Sequence, residues 1–198
     1  VYIFNDLRDM ETDRQHPQKR HRPLASGVLS RSEASWLCLG FAGTALGTAS
    51  LLRSDTYLGI LVAYLILNLV YTIRLKHIPI IDVACVAAGF VLRIFAGGAA
   101  AGVPVSHWII IMTFLLSVFL AFAKRRDDLL LADAGHGPLR KSLDGYSLEF
   151  VSLSMGVMAS VVIVSYLLYT VSPDIVAKHG TRHLYLTGFW VIIGILRY

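Results

Sequence analysis

Cysteine is almost absent from this sequence. The two present, Cys38 and Cys85, each stand alone within an apolar stretch. With no Cys-x-x-Cys pair, neither a zinc site nor a disulfide framework is suggested, and both thiols read as packing residues. Charge is also scarce, at 16% of residues. No soluble domain, low-complexity tract or signal peptide is visible. The alternating acids and central glycine of a calcium-binding loop are missing as well. What remains is apolar. The chain is 56% hydrophobic with mean hydropathy +0.63, too apolar for a soluble domain of 198 residues. No nucleic-acid partner is expected, because in such a chain the basic residues report topology.

Six apolar segments stand out, near 34–52, 57–73, 80–101, 107–123, 150–171 and 184–196. Each approaches the length that a bilayer helix needs, and the last is the shortest. The runs are continuously apolar rather than alternating, which favours helices over barrel strands. The expected fold is therefore all-α, a polytopic transmembrane helical bundle in a lipid bilayer. Gly40, Gly43 and Gly47 share one face of the first segment, at a spacing that suits close helix packing. The chain begins at Val1 rather than Met and ends just after an apolar run, so it reads as part of a larger membrane domain.

Alternating the segments across the membrane gathers residues 1–33 and the loops near 74–79 and 124–149 on one side, called side A here. Fourteen of the eighteen lysines and arginines fall there, Arg197 included. Arg53, Lys178 and Arg182 fall on side B, and Arg93 lies inside a segment. The positive-inside rule makes side A cytoplasmic, and a bacterial inner membrane is the expected location.

The densest polar motif covers residues 5–27. Asn5, Asp9 and Asp13 recur every four residues, and Asp6 is three before Asp9, so a helix would carry all four on one face. Carboxylates that close repel one another and call for a cation. Hard oxygen ligands of this kind suit Mg²⁺, which binds through carboxylates and substrate phosphates. Asp6, Asp9 and Asp13 are the candidate metal ligands. Pro17 and Pro23 shape the loop that follows, where Lys19, Arg20 and Arg22 are placed to meet phosphate oxygens. His16 reads equally as a phosphate-orienting group, a base or a turn cap.

A second charged run, Lys124-Arg125-Arg126-Asp127-Asp128, closes the fourth segment on side A. Its cations read in part as a cytoplasmic anchor. Downstream, Arg140 and Lys141 offer phosphate donors in a long loop that ends near Tyr146. Arg93 lies mid-segment and is expected to face a polar cavity or a partner. Asp82, near the side-A end of the same segment, reads as either interfacial or cavity-facing. Tyr71 and Lys76 flank the second segment on side A.

Asn5-Asp6-x-x-Asp9-x-x-x-Asp13, followed by His16-Pro17-x-Lys19-x-x-Arg22-Pro23-x-x-x-Gly27, resembles the first Asp-rich signature of the UbiA superfamily of intramembrane prenyltransferases. The resemblance covers nearly the whole chain. It implies a helical domain of about nine transmembrane helices around a cavity, so further helices are expected before Val1 and after Tyr198. Leu75-Lys76-His77, Arg93 with Ala96-Gly97-Gly98, Lys124-Arg125-x-x-Asp128-Leu129 and Arg140-Lys141-Ser142-Leu143-x-x-Tyr146 are similar to decaprenyl-phosphate phosphoribosyltransferases within that superfamily. Those enzymes move phosphoribose from phosphoribosyl diphosphate to a polyprenyl phosphate.

The second signature of aromatic prenyltransferases is Asp-x-x-x-Asp. Here Asp127 has no acid four residues on, because residue 131 is Leu. That departure favours the phosphoribosyl donor over a prenyl diphosphate. The resemblance implies catalytic roles for Asp6, Asp9, Asp13 and Asp128, with Mg²⁺ as cofactor. It implies substrate-binding roles for Asn5, Lys19, Arg22, Lys76, Arg93, Lys124, Arg125, Arg140, Lys141 and Tyr146. A prenyl transferase with an aromatic or other lipid-pathway acceptor, an ion transporter using Asp82 and Arg93, and a non-catalytic scaffold are the alternative readings.

Overall fold

Helix boundaries in this chain follow local capping chemistry. The Ser30 hydroxyl accepts from the Glu33 backbone N–H, and the Glu33 carboxylate accepts from the Ser30 N–H at 2.9 Å. This reciprocal pair satisfies two otherwise orphaned donors. Ser54 and Ser147 cap two later helices through Tyr57 and Phe150. In the computed structural model, residues 1–15, 19–133, 143 and 145–198 are described. Their helices are α1 (Tyr2–Gln15), α2 (Arg31–Leu51), α3 (Asp55–Ile73), α4 (Ile81–Ala101), α5 (His107–Asp133), α6 (Leu148–Val171), α7 (Pro173–His179) and α8 (Gly188–Leu196). Short 3-10 turns lie at Lys19–His21, Leu75–His77 and Leu184–Thr187.

Five of these helices, α2 to α6, are long and apolar enough to cross a bilayer. Their outward faces leave Trp36, Leu39, Phe41, Leu153 and Leu168 exposed, as lipid-facing surfaces require. The main core lies between α4, α5 and α6, where Val83, Ala87, Phe119, Phe122, Val151 and Met155 are buried together. A smaller core of Met10, Leu24 and Ala34 holds α1 and its following loop against the start of α2. Ile3, Leu7 and Met10 of α1 pack in that core, and Asp13 of the same helix is buried beside them in sequence.

Three expectations need correction. The fourth segment does not end at residue 123, because α5 continues as helix through Asp133. The apolar run stops near the membrane surface, but Lys124 to Asp133 contains good helix formers, and the Arg125–Asp128 pair is at helical spacing. The glycine face of α2 is not a packing face among the described residues. A Cβ at Gly40, Gly43 or Gly47 would meet nothing within 4 Å. Arg197 does not reach side A. The nine residues of α8 extend only about 13 Å, and the Tyr198 ring packs edge-on against Phe119, near the middle of α5.

Close approach is instead found at Gly98, near the side-B end of α4. A Cβ there would lie 2.3 Å from Val105 Cγ2 and 3.0 Å from the Val103 carbonyl. Gly98→Ala is expected to cost about 1–3 kcal/mol through overpacking. The check is the thermal unfolding midpoint of the purified protein in detergent, which should fall. Ala in place of Gly40 should leave it within error or raise it, since that position is open and helical.

Candidate functional site

The acids of α1 are not left to repel one another. Arg22, carried back by the Pro23-bounded loop, donates one Nη1 to Asp6 at 2.7 Å and to Asp13 at 2.9 Å. The Asn5 amide donates to Asp9 at 3.1 Å. Lys76, buried in the turn between α3 and α4, pairs with the other oxygen of Asp9. The loop is braced further by Arg14, whose Nε donates to the Ala25 carbonyl at 3.2 Å. A helix face designed in sequence as four oxygen-bearing side chains is thus knitted to two cations from elsewhere in the chain. Burial is the main cause that pushes the Asp6 carboxyl above its ordinary value; Arg22 opposes it, while Asp13 and Asp9 add to it.

Lys76 links this acidic face to a second network only a few residues away. Asp82, in the first turn of α4, is fully buried. Its Oδ2 accepts from Arg125 Nε at 2.6 Å, and its Oδ1 accepts from the Tyr146 hydroxyl at 2.7 Å. The Val83 N–H donates to Oδ1 at 2.8 Å. Arg125 is itself buried, and its Nη1 reaches Asp128 Oδ2 at 3.1 Å. Tyr146 also accepts the N–H of Ile80, a β-branched residue held at φ +67°. Gly145 is pressed against this turn, and a Cβ there would lie 2.3 Å from Pro79 Cγ. Burial, reinforced by the bond to Asp82, pushes the Tyr146 phenol far above its usual range, so it remains a proton donor.

The expected site residues therefore divide. Asn5, Asp6, Asp9, Asp13, Arg22 and Lys76 come together in one ion-paired patch. Arg125, Asp128 and Tyr146 come together through Asp82, and both groups flank the α3–α4 turn at the side-A end. Lys19 is half-buried on the 3-10 turn after α1, and Lys124 is exposed on α5; each has an interacting neighbour. Arg140 and Lys141, like His16, lie outside the described residues. Arg93 is not gathered with the rest. It lies eleven residues beyond Asp82, or about 16 Å along α4. There its guanidinium stacks 4.4 Å from the Phe90 ring centroid and 5.7 Å from Tyr64. It borders a largely apolar cavity of about 980 Å³ that reaches toward Lys178 on side B.

Sequence reasoning treated Asp82 as interfacial or cavity-facing and missed its place as the centre of the second network. Its partners are 43 and 64 residues away, so no local spacing announces them. The one available signal was an acid at the foot of a membrane helix, where an unpaired charge would be costly.

Among the described residues, no three acidic or histidine side chains converge into a closed metal cage. The donor set still fits Mg²⁺ in its usual mode, in which one or two carboxylates share the ion with phosphate oxygens and water. Asp6 and Asp9 supply such carboxylates, and their present cation partners show that the patch holds positive charge readily.

The chain matches the model described as "UbiA prenyltransferase family" over residues 1–196. It is 36% identical over 170 residues to a decaprenyl-phosphate phosphoribosyltransferase of Corynebacterium glutamicum, covering 85% of this chain and 51% of that protein. It is 37% identical over 178 residues to the protein of the same name from Mycolicibacterium smegmatis, covering 88% of this chain and 54% of that one. The chain thus spans about half the length of these curated relatives. In fold it is similar to a UbiA homolog from Archaeoglobus fulgidus bound to GPP and Mg²⁺. The TM-score is 0.73 at 22% identity, over 100% of this chain and 68% of the other.

The Lys76–Asp9 contact yields a stability test. Lys76→Met strands a carboxylate that is four-fifths buried. The expected cost is about 2–3 kcal/mol, somewhat below that of a fully buried pair. Adding Asp9→Asn should recover part of the loss. Unfolding midpoints of the two variants and the parent give the comparison; equal midpoints would show that the pair is energetically idle.

Proposed function

The chain belongs to the UbiA prenyltransferase family, and from that premise we propose that it transfers a phosphoribosyl group from phosphoribosyl diphosphate to a polyprenyl phosphate. Diphosphate is the leaving group. It is an integral membrane protein with five apolar spanning helices. Its side-A end, rich in Lys and Arg, would face the cytoplasm of a bacterial inner membrane. The observation that carries the reading is the mixed composition of the second cluster. Beside the buried Arg125–Asp128 ion pair, Lys124 stands exposed on α5, where a second acidic repeat would hold another metal. Cations suit a second anionic substrate better than a neutral aromatic ring. The two phosphoribosyltransferase relatives support the same choice.

The reaction needs little covalent help from the protein. The bond between the anomeric carbon and the diphosphate oxygen breaks, and its electron pair leaves with diphosphate. An oxygen of the lipid phosphate then supplies the pair for the new C–O bond. The acceptor is already anionic, so no strong base is required. Mg²⁺ on Asp6 and Asp9, with Asp13 as a further oxygen ligand, would neutralise charge on the departing diphosphate. Arg22 and Lys19 would donate to its oxygens, Arg22 exchanging part of its contact with Asp6 for phosphate. Lys76 would hold Asp9 in place. Asp128 would meet a ribose hydroxyl or a second ion, while Lys124, with Arg140 and Lys141 in the following segment, would hold the lipid phosphate. Arg93 and the apolar cavity would border the lipid chain.

The alternative is prenyl transfer from a prenyl diphosphate to an aromatic or other lipid-pathway acceptor. The likeness in fold to a homolog bound to GPP and Mg²⁺ supports it. Each labelled donor, supplied in turn to the purified full-length protein with Mg²⁺ and a polyprenyl phosphate, separates the two. Label should pass from phosphoribosyl diphosphate to lipid, and prenyl diphosphate should not be consumed. Transfer from prenyl diphosphate alone would leave only the family.

Asp6→Ala and Asp9→Ala should each lower turnover by roughly two orders of magnitude or more, the scale for removing a main electrostatic stabiliser. The membrane fold should persist, as judged by gel filtration in detergent. Near-normal rates in both variants at saturating Mg²⁺ would remove these residues from the mechanism.

A further inference from the structure

We infer that Asp82 is a positioning residue of the transferase site, acting through Arg125 on Asp128 and through Tyr146 on the turn at the foot of α4. The starting observation is an allocation of hydrogen bonds. Both Asp82 oxygens are committed: Oδ2 to Arg125 Nε, and Oδ1 to the Tyr146 hydroxyl and the Val83 N–H. The carboxylate has no exposed surface and touches no solvent. It therefore cannot act on a substrate directly. Arg125 is also too buried, at 2% exposed, to serve as a free phosphate donor. Its Nη1 goes to Asp128, which retains 17% of its side-chain surface and is the outermost member of this network. Charge placed on Asp82 thus fixes the rotamer of an acid that does reach outward.

A stabilising role alone explains this arrangement poorly. A buried ion pair is weak as a source of stability, because desolvating two charges offsets most of their attraction. What it does supply is a unique geometry. Asp82 ties the start of α4 to the side-A part of α5 and to the segment before α6. Tyr146 additionally holds the N–H of Ile80, whose backbone lies in the left-handed region that disfavours a β-branched residue. The Pro79–Gly145 contact closes the same junction. Lys76, on Asp9, lies in the turn immediately before it. The acidic face of α1 and the Asp128 cluster are consequently held in register by one buried anion.

This inference rests on the transferase reading but not on the identity of the donor. The test is a double-mutant cycle on the purified full-length protein, read as the dissociation constant for phosphoribosyl diphosphate and for geranyl diphosphate, each with Mg²⁺. Asp82→Asn should weaken whichever donor binds by about tenfold or more, the scale of a small misplacement of binding groups. In the Asp128→Asn background the same change should cost severalfold less, because one of the two groups it positions is already gone and only the route through Tyr146 remains. Arg125→Lys separates positioning from folding. It keeps a cation for Asp82 but lacks the second arm to Asp128, so it should weaken the donor while leaving the unfolding midpoint near that of the parent. Additive losses, or wild-type affinity in Arg125→Lys, would overturn the inference. Binding of geranyl diphosphate alone would overturn the phosphoribosyl reading and leave the cycle readable. Binding of neither donor would overturn both.

Discussion

The Asp82–Arg125 pair is the interaction on which the side-A end of the bundle depends. Two opposite charges are held at 2.6 Å with almost no access to water. Each would be costly to bury alone, by several kcal/mol per ion, so neither helix can move without exposing or stranding a charge. The pair therefore fixes the relation of α4 to α5 more sharply than the apolar contacts beside it. Apolar contacts among Phe119, Phe122, Val83 and Ala87 carry no directional preference, whereas a carboxylate hydrogen-bonded through both oxygens does. Tyr146 extends the constraint to a third element. Its high proton affinity keeps the hydroxyl a donor to Asp82 throughout the working pH range.

The acidic face of α1 obeys a complementary constraint. Burial, with Asp13 and Asp9 nearby, raises the Asp6 carboxyl, Arg22 opposes that shift, and Lys76 pairs with Asp9. These cations hold the face ready without enclosing it. Arg22 keeps about a third of its side chain exposed and can turn toward an anion, whereas Lys76 is buried and fixed on Asp9. One cation is thus suited to exchange and the other to hold. A site of this kind suits a metal that arrives together with a phosphate ligand, because the incoming anion offsets the positive charge that the metal adds.

How much of this was legible in the sequence depended on the range of the interaction. The face shared by Asn5, Asp6, Asp9 and Asp13 is set by helical period, and the structure places those residues along α1 as the spacing implied. Of the six segments read from apolar length, five form helices long enough to span, and the sixth forms the shorter apolar stretch Leu184–Leu196. The extension of α5 through Asp133 did not, because hydropathy reports where lipid ends and not where the helix does. The Gly40-Gly43-Gly47 stripe has the right spacing for packing, but spacing does not supply a partner helix. Asp82 was the largest omission. Its role is set by side chains brought from two other elements, and a lone acid in a list of residues carries no trace of them.

The central claim is that the α1 acids and the Asp128 cluster serve one donor molecule from the same end of the bundle. The most direct measurement is a density map of the full-length protein in a lipid nanodisc, with Mn²⁺ as a strongly scattering substitute for Mg²⁺ and with phosphoribosyl diphosphate. The diphosphate and metal should lie at Asp6 and Asp9, with the ribose or a second ion at Asp128 and with Asp82 still bound to Arg125. Diphosphate found beside Arg93 in the apolar cavity, or a donor molecule that contacts only one of the two clusters, would contradict the claim.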